Sequence, residues 1–303
     1  MLDLSALREL LRRYGEEADH PVRNFDIGGR AFDFNRRRGL VGVINLSPDS
    51  GYPESIFATP EAAIAQGRRL AALGADLVDV GAESTLPDAE RISPAEQAER
   101  LVPVVRALSQ QGILVSVESY FAEVLEAAAL AGACVFNLTG EREEREAFKL
   151  ARRFEAAVVL CYVQGETVRE AQNFEIAADP MEEMAQAFGE RTALAAKLGV
   201  ERCILDPGLG FYYENLRDGT LRVNHQLRTV LQTFRLNRLG FPTMNILPHA
   251  PEIFGETNRR AAEPFFAVLA LLGGSHLLRT HELEVVACVR EVMSAYRPDQ
   301  ELA

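Results

Sequence analysis

From Gly39 onward the chain alternates short apolar runs rich in Val, Ile and Leu with longer stretches of helical period, the pattern that parallel strand-helix units produce. The strand candidates number eight: VGVINL (41–46), DLVDV (76–80), ILVSV (113–117), CVFNL (134–138), AVVLC (157–161), CILD (203–206), PTMNIL (242–247) and HLLRT (276–280). Each precedes a segment that can be a helix. Thr59-Pro60 supplies a cap and an N1 proline ahead of Ala63, Ile64, Gly67, Leu70 and Ala71 on one face. Ser93-Pro94-Ala95-Glu96 is a capping box, and Asp179-Pro180 repeats the device. Gly74, Gly132 and Gly199 stand where left-handed C-caps end helices.

Eight such units over roughly 250 residues match a (β/α)8 barrel, whereas a doubly wound open sheet more often has about five or six strands. The expected fold is thus α/β, a TIM barrel over residues 39–303. Residues 1–38 are expected to add an amphipathic helix and the hairpin NFDIGGRAFDF, turned at Gly-Gly, which would cap the barrel's lower end.

With 32 basic against 44 acidic residues and a formal net charge of −12, the surface field repels nucleic acid and anionic lipid. An anionic substrate must then be held by local groups. The N-terminal stretch MLDLSALRELLRRYGEE spreads charge through its apolar positions, so neither a signal peptide nor a membrane span is expected, and a cytoplasmic location is. Cys134, Cys161, Cys203 and Cys288 form no CxxC pair and are expected to be buried, reduced thiols.

Active-site groups of a barrel project from the C-terminal ends of its strands, and those ends carry polar residues that packing would not choose. Strand one ends in Asn45, strand two runs through Asp79 into Glu83, Ser84 and Thr85, strand three ends in Glu118 and strand four in Asn137. Strand six ends in Asp206, and strand eight in Arg279 and His281. Asn45 and Asn137 each have a plainer reading, satisfying backbone groups at a strand end. Asp79 reads as scaffold, bonded to the Gly-rich turn that follows it. Asp206, within DPGLGF, sits on a tight open loop suited to ligand contact. Arg279 and His281, two residues apart on one strand, read as an anion clamp. His20, His225 and His276 read as surface or packing residues, while His249 in the loop LPHAPE stays a candidate. Tyr212-Tyr213 could form a loop lid or simple packing.

On these residues the chain resembles dihydropteroate synthase and its pterin-binding relatives, over nearly its whole length after Phe25. The matching stretches are GVINLSPDS (42–50), GADLVDVGAEST (74–85), VSVES (115–119), ILDPGLGF (204–211) and LLRTHEL (277–283). The resemblance implies a site for a 2-amino-4-oxo-pterin, bound by Asp206, Asn137 and Glu118, with Arg279 stacked on the ring and Phe211 as apolar wall. It further implies condensation of a 6-hydroxymethyl-dihydropterin diphosphate with 4-aminobenzoate. Asn45 is then the Mg2+ ligand, and Asn45, Thr85, Arg279 and His281 hold the diphosphate, with Asn45, Arg279 and His281 catalytic. A homodimer is implied as well.

The match departs at the rim. Synthases of this family carry Ser-Arg-Lys-Ser after strand seven, where this chain has Pro248-His249-Ala250-Pro251-Glu252. A cation is thereby lost from that loop, and Glu252 would repel a carboxylate by about 1 kcal/mol at close range. Leu86 stands where the family has arginine, Glu118 where it has aspartate, and the loop after strand one is shortened to Gly51-Tyr52-Pro53-Glu54. Two alternatives follow: a methyltetrahydrofolate-binding methyl-transfer protein, with Asn245 as a pterin contact, or a pterin-binding homologue without catalysis.

Overall fold

A computed structural model describes residues 2–49, 52–86, 89–168, 174–211 and 218–296, so Tyr212 and Tyr213 lie outside the described residues. Eight parallel strands form the barrel: β3 (Gly39–Asn45), β4 (Leu77–Gly81), β5 (Val115–Glu118), β6 (Val135–Leu138), β7 (Ala157–Cys161), β8 (Cys203–Asp206), β9 (Met244–Ile246) and β10 (Leu277–Thr280). All eight coincide with the apolar runs read from sequence. The shortest is β9, because Pro242 has no N–H to give a ladder.

Neighbours follow the order β8-β7-β6-β5-β4-β3-β10-β9. The ring is completed between β8 and β9 by one parallel bridge, Leu205 to Thr243. Outside it run α2 (Pro60–Ala72), α3 (Pro94–Ser109), α4 (Ala122–Ala131), α5 (Glu144–Phe154), α6 (Pro180–Lys197), α7 (Gly219–Gln232), α8 (Pro251–Asn258), α9 (Ala262–Leu272) and α10 (Leu283–Ser294). The caps work as read. Thr59 accepts from the Ala62 amide, Ser93 from Glu96, and Asp179 from both Met181 and Glu182. Asp179 also takes Arg235 in two bonds of 2.8 and 2.7 Å, fixing the start of α6 to the segment 233–239.

The strands are buried on both faces, as parallel barrel strands must be. Before them come α1 (Leu4–Ala18) and the hairpin β1 (Phe25–Ile27) and β2 (Arg30–Phe32). Gly28 and Gly29 both have positive φ, 55° and 79°, which a two-residue type I′ turn demands. A Cβ on Gly28 would stand 2.7 Å from the Leu114 side chain and 3.2 Å from Cys134 Sγ, so the turn abuts the N-terminal ends of β5 and β6. Active-site chemistry is left to the opposite mouth.

The cysteines differ from expectation. Cys161 and Cys203 are buried, Cys134 is half-buried, and Cys288, on α10, is exposed, because that helix turns this position to solvent.

Candidate active site

Parallel register sets Asn45, Gly81, Glu118 and Asn137 in one row across β3 to β6, at the C-terminal mouth. Cys161 and Asp206 form a matching pair on β7 and β8. One pocket opens there, and Asn45, Thr85, Glu118, Asn137, Asp206, Phe211, Arg279 and His281 all line it. These eight residues, read from the sequence as the synthase-type site, are therefore brought to a single place.

The floor is an ionic lattice. Arg279 donates from Nε to Asp79 at 2.8 Å and from Nη2 to Glu118 at 2.6 Å. Asn137 Nδ2 donates to the same Asp79 oxygen at 3.1 Å, and Cys161 Sγ donates to Asn137 Oδ1 at 3.3 Å. Asp79 is thus no partner of the Gly-rich turn: pointing inward from β4, it is the carboxylate that fixes both Arg279 and Asn137. Asp206 accepts the Gly208 amide at 2.8 Å in a turn only glycine fits, since Gly208 has φ 74° and a Cβ there would lie 2.3 Å from the Tyr162 carbonyl oxygen.

Three carboxylates surround one guanidinium here. Burial pushes Glu118 up to about 7, against the pull of Arg279 and with help from Asp79 and Asp206. Burial also raises Asp206 to about 6, opposed by the Gly208 amide and Arg279. Arg279 stays charged, because the neighbouring carboxylates outweigh its own desolvation. Near neutrality the floor therefore offers carboxyl groups able to accept or, when protonated, donate a hydrogen bond.

A second cluster stands at the rim. Glu263, at the start of α9 and fully buried, accepts His249 Nε2 and His281 Nδ1, each at 2.8 Å, on one oxygen. Its other oxygen takes the amides of His281 (3.0 Å) and Glu282 (3.1 Å) and the Thr280 hydroxyl. Burial alone would raise this carboxyl, yet the two histidines hold it well below the usual range. Burial depresses His281 as well, against the opposing pull of Glu263. The Tyr52 ring stacks on His281 with centroids 4.5 Å apart and lies 4.6 Å from His249. Its hydroxyl bonds Glu282, which Arg260 grips at 2.5 and 2.8 Å. So Arg279 and His281 share the pocket but answer to different carboxylates.

Sequence reasoning missed Glu263, Tyr52 and Arg222. An acid at the head of the apolar run AEPFFAVLALL was the available signal for Glu263. Tyr52 gave none. Arg222, on α7, lines the pocket and pairs with Glu252, so that acid is not a lone charge facing the ligand. Asn245 turns away from the pocket: its amide bonds Thr233 Oγ1 at 3.0 Å and Ser275 Oγ at 2.6 Å within the wall.

Fold and pocket define a (β/α)8-barrel enzyme with a polar, largely buried floor at the C-terminal mouth. A model of the pterin binding enzyme family matches residues 41–281. The dihydropteroate synthase of Synechocystis sp. is 31% identical over 280 residues, covering 89% of this chain and 93% of that protein. Among solved structures, Xanthomonas albilineans dihydropteroate synthase with 4-aminobenzoic acid superposes with a TM-score of 0.75 at 29% identity, over 90% of this chain and 98% of that one. The same enzyme in complex with 7,8-dihydropteroate gives 0.72 at 27% identity, over 90% and 97%. The chain belongs to the pterin-binding enzyme family, the family of the dihydropteroate synthases.

Proposed function

We propose that the protein condenses a 6-hydroxymethyl-dihydropterin diphosphate with 4-aminobenzoate, the reaction for which its relatives are named. The observation that carries this reading is the largely buried floor of Glu118, Asn137 and Asp206, three side chains whose polar atoms converge on one small cavity. Asp206 accepts the 2-amino group and the adjacent ring N–H in two parallel bonds. Asn137 and Glu118 meet the remaining ring nitrogens, and Phe211 is the apolar wall. Arg279, gripped along one edge by Asp79 and Glu118, keeps its flat face for the ring.

The amine lone pair of 4-aminobenzoate attacks the pterin methylene carbon, the bond to the diphosphate oxygen breaks, and the amine gives up a proton. Thr85 donates its hydroxyl to a diphosphate oxygen, and His281, whose Nδ1 is held by Glu263, presents Nε2, which donates to the diphosphate when the imidazole carries its second proton. Asn45 donates its Nδ2 to Ser55 Oγ at 2.5 Å, which leaves the carbonyl oxygen, the hard donor that Mg2+ takes. When bound, that ion neutralises charge on the leaving diphosphate. Arg222, which lines the pocket in its pair with Glu252, meets the aminobenzoate carboxylate by exchanging that partner.

The decisive assay incubates purified protein with the pterin diphosphate, 4-aminobenzoate and Mg2+. Dihydropteroate should form well above the enzyme-free control and fail to form with Asp206→Asn; no product from the unaltered protein refutes the reading. The altered loop at Pro248–Glu252 favours one second reading, a homologue that binds pterin without condensing it. The methyl-transfer alternative loses its support, because Asn245 is spent inside the wall.

We further propose that residues 1–38 serve to close the barrel's lower end, and that the protein works as a homodimer in the cytoplasm. Among the described residues no helix is long and apolar enough to cross a membrane.

A further inference from the structure

We propose that His249, Glu263 and His281 form a binding site for a divalent transition-metal ion, Zn2+ foremost, at the rim of the pocket and distinct from the Asn45 position. Three donor atoms, His249 Nε2, Glu263 Oε1 and His281 Nδ1, lie within 4.8 Å of one another. The carboxylate oxygen stands 2.8 Å from each nitrogen. Ligands set tetrahedrally around Zn2+, with bonds of about 2.0–2.1 Å, are about 3.3 Å apart, so an ion replacing the shared protons needs each nitrogen–oxygen separation to open by only about 0.5 Å. The His249 side chain is 25% exposed, so an ion can reach the three atoms from the pocket.

The surroundings fix these ligands as a metal site requires. Thr280 and the amides of His281 and Glu282 hold Glu263 Oε2, so Oε1 alone is presented to the two rings. Tyr52 lies against both imidazoles, and Ala250, next to His249, is kept at φ 40°, a strained setting for a residue with a Cβ. Both histidines also line the pocket, so the remaining coordination positions face the ligand. Two imidazoles and one carboxylate select transition ions over Mg2+, which prefers oxygen.

The electrostatics give the ion a task. Arg222 and Arg279, the two arginines lining the pocket, are each bonded to carboxylates, and Glu83, Glu118 and Asp206 line it too. A multiply charged anion entering such a cavity gains most from a cation fixed at its mouth. A diphosphate oxygen is the substrate group this ion would take. That role rests on the proposed reaction, whereas the metal site stands on its own geometry.

The test uses the full chain, stripped with a chelator and titrated without Mg2+ or substrate. About one equivalent of Zn2+ per chain should bind, and Co2+ should give visible d–d bands of imidazole ligation. His249→Ala should weaken binding by about 100-fold or more, beyond the ~10–100-fold cost of losing an outer-shell partner. No stoichiometric binding, or binding unchanged in His249→Ala and in Glu263→Gln, overturns the site and leaves only a hydrogen-bonded triad. Inorganic diphosphate should bind the Zn2+-loaded chain about tenfold more tightly than the stripped chain; equal affinities overturn the role but not the site. Metal binding intact with no dihydropteroate formed refutes the proposed reaction instead.

Discussion

Arg279 on β10 and Asp79 on β4 stand 200 residues apart in sequence and meet at 2.8 Å, and through this pair the last strand of the barrel is tied across β3 to its second. Both are largely buried, with Glu118 completing the arginine's fork. Arg279→Met should cost about 3–5 kcal/mol at neutral pH, because two carboxylates remain buried without their cation. The loss should shrink at pH 5, where Glu118 is protonated, and denaturant unfolding at both values checks the sign.

Asp206 makes pterin affinity depend on pH. Its pKa in the free protein is raised to about 6, and the bidentate contact needs the ionised form. Affinity for 6-hydroxymethylpterin should therefore be level above pH 7 and fall towards tenfold per unit below 6. Asp206→Asn should lose affinity and flatten the profile; calorimetry from pH 5 to 8 decides, and a flat wild-type curve contradicts the assignment.

For Glu118 the same direction of shift acts on stability. The folded group, at about 7, holds its proton more tightly than the unfolded chain does, near 4.5, so its contribution is complete below pH 4.5 and is lost as pH rises through 7. In the ligand-free state wild type should lose ground against Glu118→Gln between pH 5.5 and 8. Paired melting curves at half-unit steps measure this, and a gap that does not move rules it out.

Asp179 shows the opposite sign. The Arg235 hydrogen bonds, against some burial, hold its carboxyl below 3.8, so its contribution is present above that value and lost on acidification. Asp179→Ala removes a helix cap and a two-pronged ion pair together and should cost about 2 kcal/mol at pH 7. Thermal unfolding reads the change, with pterin affinity unaffected.

At the rim, Glu252 competes with an incoming carboxylate for Arg222. Glu252→Gln should lower the KM for 4-aminobenzoate about fivefold, the worth of about 1 kcal/mol. The KM for the pterin diphosphate should stay put, and a parallel change in both would point to a general loosening of the pocket.

The order of strands and the depth of the pocket were legible because they depend on local signals. Apolar runs, caps such as Ser93 and the Gly-Gly hairpin speak for themselves residue by residue, and barrel geometry then delivers Asn45, Glu118, Asn137, Asp206 and Arg279 to one mouth. What stayed hidden depends on pairs distant in sequence. Asp79 passed for scaffold because its partner lies on the last strand, and Glu252 passed for an isolated repulsive charge because Arg222 reaches it from the preceding helix. Glu263 was overlooked inside an apolar helix, although nothing but specific partners could keep a carboxylate there.

The single bridge from Leu205 to Thr243 gives the barrel a zipper with one tooth at its closing point. Every other pair of neighbouring strands shares a continuous ladder, so small fluctuations that part the staves will part these two first. Asp206 is the next residue along that margin. The contact assigned to the pterin thus sits beside the part of the wall best able to breathe, and a seated ring, bonded to Asp206 on one stave and packed near Ile246 on the other, would act as the missing fastener.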